Sequence, residues 1–534
     1  MDRPMEPTKE WEFLSQESAR RWPGQVRLRF TAGEKSCLVE LSTGVLADLC
    51  TFLFLEAEFT LASLIIEEKP PDWHLRYIFY GDRGGGPIHL LLRVPQMDPT
   101  VPSISRYVHA ADWHEREAED LFGLTFEGHP RLGDFVLHEE WPEGVNPMRS
   151  SFDASKPYVH RELEPEWRPA RIVQAPGAFM MPIGPVYSDF AESAHFLLET
   201  VGEDVIRTIP RFFYKYRGVE KIAEGKTIEQ ALLLAERFSG TSAFAHSLAF
   251  CQAVEKIARV EVPPRARALR RFLAELERFR HHVAAIAGIC QSTALAVATS
   301  QAAILEEEIL RLSGMFTGHR YLFGLNLPGG LTTDFSDDCT KKTTAAAEDL
   351  LKKLLDLQEM LRFSSSFLDR LEEVGIVPKE RALSYGLVGP IARASGVIRD
   401  LRRTLPYAGY ESVDFSIPGE EEGDGYARLR ILFREAEQSV SIMRQVASSL
   451  PAGPGVFSPP APQSGAALGW VEAPRGAAFH WVRLGENGQV ARYRITPPSF
   501  TNWHGFHLAA EDFAFQDFPI IMATFGLSNA EADR

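Results

Sequence analysis

Between residues 24 and 95 apolar and polar residues alternate in five short runs, QVRLRF, SCLVEL, LASLIIEE, HLRYIFYG and PIHLLLRVP, separated by Gly, Pro and Asp clusters. Such runs predict strands, with a helix or two among them. Residues 110–123 read as a helix, and HPRLGDFVLHEEWPEGVNPMR after them is irregular. From Ser150 to Pro169 the chain turns polar and Pro-bearing, which predicts a linker. After Ile172 a β-like opening gives way to helices. In RARALRRFLAELERFRHHV the apolar positions Ala266, Leu269, Phe272, Leu273, Leu276, Phe279 and Val283 step by three and four, so one face is expected to be buried. Leu350, Leu354, Leu357, Leu361, Leu368 and Leu371 predict a second long helix, and YARLRILFREAEQSVSIMRQVASSL a third. GAAFHWVRL and QVARYRITP, joined by a turn at Glu486-Asn487-Gly488, return to strands. No fixed period links these helices, which argues against a solenoid. The fold expected is α+β: a small α/β domain at 1–150, a linker at 151–171, and a larger domain at 172–534 with a helical-bundle core and β elements at both ends.

Composition narrows the functions. The 534 residues exceed what one hydrophobic core usually spans. A formal charge of −15, from 57 Lys+Arg against 72 Asp+Glu, argues against nucleic-acid binding and against an unaided hold on anionic lipid. The five cysteines (37, 50, 251, 290 and 339) form no CxxC pair, so free thiols in a reducing compartment are expected. MDRPMEPTKEWEFL carries no apolar leader core. Val283 to Leu305 is uncharged over 23 residues, long enough to cross a bilayer, yet rich in Ala, Ser, Thr, Gln and Gly. A helix buried within protein is the expectation there, with membrane contact made only through partners. No GxGxxG or Walker motif follows a suitable strand, so NAD or ATP is not expected on this chain.

The densest cluster of chemistry-bearing residues is His114-Glu115-Arg116-Glu117, Asp120-Leu121-Phe122-Gly123 and Gly128-His129-Pro130. Acid and base alternating on a helix read first as a salt-bridged docking surface. WHEREAEDLFGLTFEGHPRL also resembles the signature of the C subunit of NADH–quinone oxidoreductase (respiratory complex I), a small α/β protein without cofactors. In the larger domain GPVYSDFAESAHF, YKYRGVEKIAEG, RFSGTSAFAHSLAFCQAVEKI, VPPRARALRRFLAELERFRHH, FGLNLPGG, VEAPRG and RYRITPPSFTNW resemble the D subunit of complex I. They resemble still more the large subunits of membrane-bound nickel–iron hydrogenases of the formate hydrogenlyase type, which share the same C/D fusion.

That resemblance implies where a metal or quinone would sit. The hydrogenases hold nickel and iron through four thiolates in an RxCGxC and a C-terminal DPCxxC motif, and soft metals need such ligands. Here Ser239, Ser242, Ser528 and Glu531 stand in those positions. Serine hydroxyls are poor ligands for soft metals and one carboxylate does not compensate, so no metal centre is expected. The D subunit places a His and a Tyr at the head of its quinone cavity; Tyr187 and Gly240 stand there. Tyr187 could donate to a quinone oxygen or be satisfied by backbone. Tyr216 replaces a usual His and cannot shuttle protons at neutral pH. Arg217, Gly218, Glu220, Lys221, His246, Glu255 and Arg265 match the family. The acid at Glu220's position relays protons in the hydrogenases, while an Arg217–Glu220 ion pair is the plain alternative. His246 is expected as a hydrogen-bonded core residue, and His281 and His282 as a helix C-terminal patch. Glu531, buried where a thiolate would point, is expected to have a raised pKa from desolvation. The resemblance implies a peripheral-arm subunit on the cytoplasmic face of the inner membrane, beside a small iron–sulfur subunit and a membrane-embedded subunit, coupling electron transfer to ion translocation; the alternative is a structural or regulatory subunit with no chemistry at the former metal site. Iron–sulfur clusters and NAD(P)H would belong to those partners, and a quinone is the candidate ligand of the cavity.

Overall fold

The computed structural model of the chain describes residues 9–31, 36–82, 85–162, 172–173, 176–187, 192–456 and 464–534. The five apolar runs form one sheet: β1 (Val26–Thr31), β2 (Ser36–Leu41), β3 (Thr60–Lys69), β4 (Asp72–Tyr80) and β5 (Ile88–Pro95), in the order β1-β2-β5-β4-β3. Only β2 and β5 run parallel; the other neighbours are antiparallel. Along β4 the side chains divide with period two. Trp73, Leu75, Tyr77 and Phe79 join one core, Ile78 and Tyr80 the other. The second of these cores also holds Phe244, Leu248, Leu273 and Phe479, so the helices of the larger part cover one face of the sheet. Helix α1 (Asp112–Phe122) follows, closed by Gly123 in the left-handed conformation (φ 72°). A Cβ at Gly123 would lie 2.5 Å from Asn146 and Arg149 side chains, which explains a glycine there.

The larger part opens with β6 (Ala178–Ile183), β7 (His195–Val201) and β8 (Asp204–Arg211), and β12 (Glu511–Ala514) completes that antiparallel sheet in the order β12-β8-β7-β6. A meander of β9 (Gly465–Ala473), β10 (Gly476–Leu484) and β11 (Val490–Thr496) lies at the other end of the sequence. Between them run α2 (Val219–Ala223), α3 (Ile228–Arg237), α4 (Ala243–Ala258), α5 (Pro264–Ser292), α6 (Ala296–Thr317), α7 (Asp337–Arg362) and α8 (Gly425–Ser448), with the short α9 (Asn529–Asp533) at the end. Thr227 and Gln230 form a capping box at the start of α3.

Three expectations change. Helix α5 buries its polar face as well as its apolar one: Glu275, Glu277, Arg278, His281 and His282 are all buried. His281 and His282 are therefore mid-helix core residues and not a C-terminal patch. The uncharged stretch 283–305 is not one helix, because α5 ends at Ser292 and α6 begins at Ala296. Thr293 closes the break by donating its hydroxyl to the carbonyls of Ile289 (3.1 Å) and Cys290 (3.0 Å), and Ala294 has a φ of 59°. Among the described residues no helix is long and apolar enough to cross a membrane. Finally, the leucine-rich helix stops at Arg362, leaving Leu368 in a separate short helix and Leu371 in a turn. Residues 163–171 of the expected linker lie outside the described residues.

Candidate functional site

The charged motif on α1 faces inward. His114, Glu115 and Glu117 are buried. Glu115 accepts from Ser103 and the Ile104 amide (2.9 Å) within the smaller part, whereas the partners of His114 and Glu117 come from the larger part of the chain. Arg494 of β11 donates to Glu117 at 2.6 Å, and Arg534 donates to its other oxygen. Glu220, in the first turn of α2, accepts from the Ile495 amide (2.9 Å) and Arg494 (3.4 Å), with Arg492 at 3.6 Å. Burial pushes Glu117 up, but Arg494 and Arg534 outweigh it and hold the carboxyl at about 2. The docking surface read from the sequence is thus an internal joint, and α1 docks onto its own chain. Asp120 accepts from the amides of Val136 (2.8 Å) and Leu137 (2.7 Å), fixing the turn that follows the helix. Arg217 does not pair with Glu220. It donates to the carbonyls of Phe238 (3.0 Å) and Ala530 (2.6 Å).

Ser239, Ser242, Ser528 and Glu531 converge between α4 and α9, all buried. Glu531 is the centre. Its Oε1 accepts from Ser239 Oγ (3.2 Å) and His246 Nε2 (3.0 Å), and its Oε2 from the Ser499 amide (3.3 Å) and hydroxyl. Arg475 stands 3.9 Å from Oε1 and donates to Thr241 Oγ1 (3.0 Å) and the Gly526 carbonyl (2.7 Å). Ser528 caps α9 by accepting from the Glu531 amide (3.1 Å) and donates its own hydroxyl to Glu192 (3.0 Å). From His246 the chain of bonds continues: Nδ1 meets His480 Nε2 at 2.9 Å, and His480 Nδ1 meets the Tyr493 hydroxyl at 2.6 Å. The chain of bonds is complete with Tyr493 donating to His480, His480 to His246, and His246 to the carboxylate. His480 and Tyr493 project from neighbouring strands β10 and β11 two positions out of register. The strands approach α4 this closely because residue 469 is glycine: a Cβ there would lie 1.9 Å from the Ala249 carbonyl.

The expectation of a raised Glu531 pKa is wrong. Burial does push it up, but the Arg475 charge and the hydrogen bonds from His246 and Ser499 bring the carboxyl down to about 2. Glu531 is therefore an anion at neutral pH. Burial, and then His246, hold His480 well below its usual range. Tyr187 takes the plain course, donating to the carbonyl of Ala194 at 2.9 Å. Tyr216 is half-buried, and desolvation raises its phenol.

This donor set does not fit a nickel–iron centre. Both Glu531 oxygens are committed, Ser239 and Ser528 spend their hydroxyl protons on carboxylates, and no thiol stands among them. Cys251 and Cys290 are buried free thiols elsewhere, raised by desolvation. Among the described residues no group of three or more His, Cys, Asp or Glu is arranged to hold a metal ion. A cavity of about 20 Å³ borders the cluster, lined in part by His281, Arg475, Thr524 and Gly526; it has room for about one water. Sequence reasoning missed Arg475, His480, Tyr493, Ser499 and Glu192. The first four lie in VEAPRG, GAAFHWVRL and RYRITPPSF; for His480 and Tyr493 a polar residue inside an apolar strand was the available signal, while Arg475 sits in a turn and Ser499 at a helix start, where none stood out.

Comparison with known proteins agrees with this fold. Residues 39–158 match the family described as the respiratory-chain NADH dehydrogenase 30 Kd subunit, and residues 294–462 and 456–534 that of the 49 Kd subunit. Residues 217–286 match nickel-dependent hydrogenase. The chain is 29% identical to formate hydrogenlyase subunit 5 of Escherichia coli, covering 84% of this chain and 79% of the relative. It is 28% identical to hydrogenase-4 component G of the same organism (81% and 76%). To the C/D subunit of NADH-quinone oxidoreductase from Acinetobacter baylyi the identity is 27% (84% and 82%). The chain belongs to the family that joins a complex I 30 Kd-type and a 49 Kd-type domain in one polypeptide, shared by the C/D subunits of NADH–quinone oxidoreductase and the hydrogenase large subunits related to them.

Proposed function

We propose that the chain is a peripheral-arm subunit of a membrane-associated, complex-I-like oxidoreductase, and that its former metal site serves as a structural joint. The observation that carries this is the full commitment of Glu531. One buried carboxylate ties α4, through His246, and the turn before it, through Ser239, to Ser499 and the helix that carries Glu531 itself. It does by hydrogen bonds what metal ligation would otherwise do for the same two ends of the domain. A small iron–sulfur subunit and a membrane-embedded helical subunit are the partners in this reading, at the cytoplasmic face of the inner membrane. Electrons and NAD(P)H chemistry belong to those partners, while this chain carries no cofactor of its own and helps couple electron transfer to ion movement through its position. A quinone-reducing role for the site itself finds little support, because the Tyr187 hydroxyl is engaged by Ala194 and Glu220 by β11.

Purification of the tagged chain from its native membranes tests the assembly. Iron–sulfur and membrane-embedded proteins should co-purify in fixed ratio, and a chain isolated alone would overturn it. Metal analysis tests the joint. Nickel should be far below one atom per chain, and stoichiometric nickel would end this reading. Tyr187→Phe should leave the electron-transfer rate of the assembled complex unchanged.

A further inference from the structure

Helix α5 carries a second buried polar group that the Glu531 site does not use. Its Glu275, Arg278 and His282 meet Arg393, Asp400 and Arg402, Glu435 of α8, and Glu472 of β9. None of the eight is more than 3% exposed. Arg402 donates to Asp400 (2.7 Å) and Glu275 (3.0 Å), and Glu275 lies 3.3 Å from Arg278 and accepts from the Tyr410 and Ser439 hydroxyls (2.6 and 2.8 Å). Arg393 donates to Glu435 (2.6 Å) and Glu472 (2.8 Å) and lies 3.6 Å from Asp400. At the rim Arg399 pairs with Asp82 (2.8 Å), and Arg271 donates to the carbonyls of Ala408 (3.0 Å) and Gly409, outside ion-pair distance of the eight.

The inner group does not balance. Four carboxyl groups face three guanidinium groups, and a net charge buried away from water is strongly disfavoured. One extra proton restores neutrality, on His282 or on a carboxyl group. His282 Nε2 stands 2.9 Å from Glu435 Oε2, but its Nδ1 has no hydrogen-bond partner. An imidazolium would bury an N–H at Nδ1 with no acceptor, whereas a neutral ring donating from Nε2 buries only a lone pair there. His282 is therefore neutral, and a carboxyl group takes the proton. Glu275 has three donors, Arg402, Tyr410 and Ser439, with Arg278 3.3 Å away, and Asp400 has a two-pronged hold from Arg402. Glu435 has Arg393 and His282. Glu472 has the Leu401 amide (3.0 Å) and only a share of Arg393, with Asp400 close by.

We infer that Glu472 is a buried proton-binding site, holding the single proton that makes this group neutral. The groups that face it are Arg393, Asp400 and Arg278, with Tyr407, whose oxygen accepts from the Glu472 amide at 3.0 Å, and Tyr80 of β4. Burial first, and then Asp400, push its carboxyl up to about 7, against Arg393 and Arg278, so the proton exchanges near neutral pH. This site does not depend on the reading of the former metal centre.

Infrared spectroscopy of the purified full-length chain decides it. Below pH 7 a C=O band of a protonated carboxyl group should appear, shift when glutamate is labelled with 13C, and be lost in Glu472→Gln. It should fade as the pH is raised past 7. A spectrum unchanged in this region by Glu472→Gln overturns the inference, as does a wild type without a protonated glutamate band. Should that variant fail to fold, 15N NMR of the wild-type histidines provides the second arm. A neutral His282 protonated on Nε2 is expected at neutral pH, and an imidazolium there removes the need for a proton on Glu472 and overturns it.

Discussion

Glu531 and Glu472 are both carboxyl groups out of reach of solvent, yet their acidities move in opposite directions. Glu531 falls to about 2 and Glu472 rises to about 7. Desolvation is the largest single effect on each, so burial alone does not set the sign. The difference lies in what each can count on. Glu531 shares its donors with no other acid, and Arg475, a histidine and two serines all point at it. Glu472 shares one guanidinium with two other carboxylates. The site that replaced four sulfur ligands is over-supplied with donors; the group deep in the helical core is one counter-charge short.

Removing the acid from each should expose that contrast. Glu531→Ala leaves Arg475 and His246 facing an empty centre and should cost about 3–5 kcal/mol in urea unfolding. Glu472→Gln copies the protonated acid and should cost about 1 kcal/mol or less below pH 7. The pH dependence follows with opposite signs. Glu531, depressed in the folded state, contributes stability above the unfolded value near 4.5 that is lost as the pH falls toward 2; a shift of this size is worth about 3 kcal/mol. Glu472, raised in the folded state, contributes below 4.5 and loses that contribution as the pH climbs to about 7. Unfolding curves collected across pH should therefore lose their acid limb in Glu531→Gln and flatten between pH 5 and 7 in Glu472→Gln. If both variants change the same limb, the contrast fails. A third buried acid lies between the two parts of the chain. Glu117→Gln strips the counter-charge from Arg494 and Arg534 and should cost about 3 kcal/mol, with faster amide exchange along α1 as its local signature.

How much of this the sequence disclosed follows a simple line. The five strands of the first sheet, α1 and the final meander carry periodic apolar patterns and emerge where the pattern places them, whereas the leucine-rich helix ends at Arg362, short of Leu368 and Leu371. The positions of Ser239, Ser242, Ser528 and Glu531 are legible through their motifs. What stays hidden is partnership across long sequence separations. Glu531 meets His246 across 285 residues and Glu117 meets Arg534 across 417. Without those partners the expectation for Glu531 rests on desolvation alone, and desolvation alone gives the wrong sign. The polar face of α5 misleads for the same reason. Glu275, Arg278 and His282 on an amphipathic helix read as solvated until Arg402, Glu435 and Glu472 are known to cover them.

A smaller effect than the loss of Glu531 or Glu117 concerns Ser528, and it separates a joint from a vestige. Its hydroxyl oxygen accepts from the Glu531 amide at 3.1 Å while the hydroxyl donates to Glu192. Ser528→Ala leaves that amide uncapped, but Glu192 keeps the Ala530 amide at 2.8 Å. A loss of about 1 kcal/mol is expected, as for other N-terminal caps. Ser528→Cys restores the residue that the hydrogenase motif places there, yet a thiol accepts hydrogen bonds more weakly than a hydroxyl. It should therefore lose nearly as much stability as the alanine variant. It should also gain no nickel, because one thiolate beside Ser239, Ser242 and an ionised Glu531 does not make a soft-metal site. A Ser528→Cys chain that is both as stable as wild type and loaded with metal would mean that the pocket still prefers a metal to its hydrogen bonds.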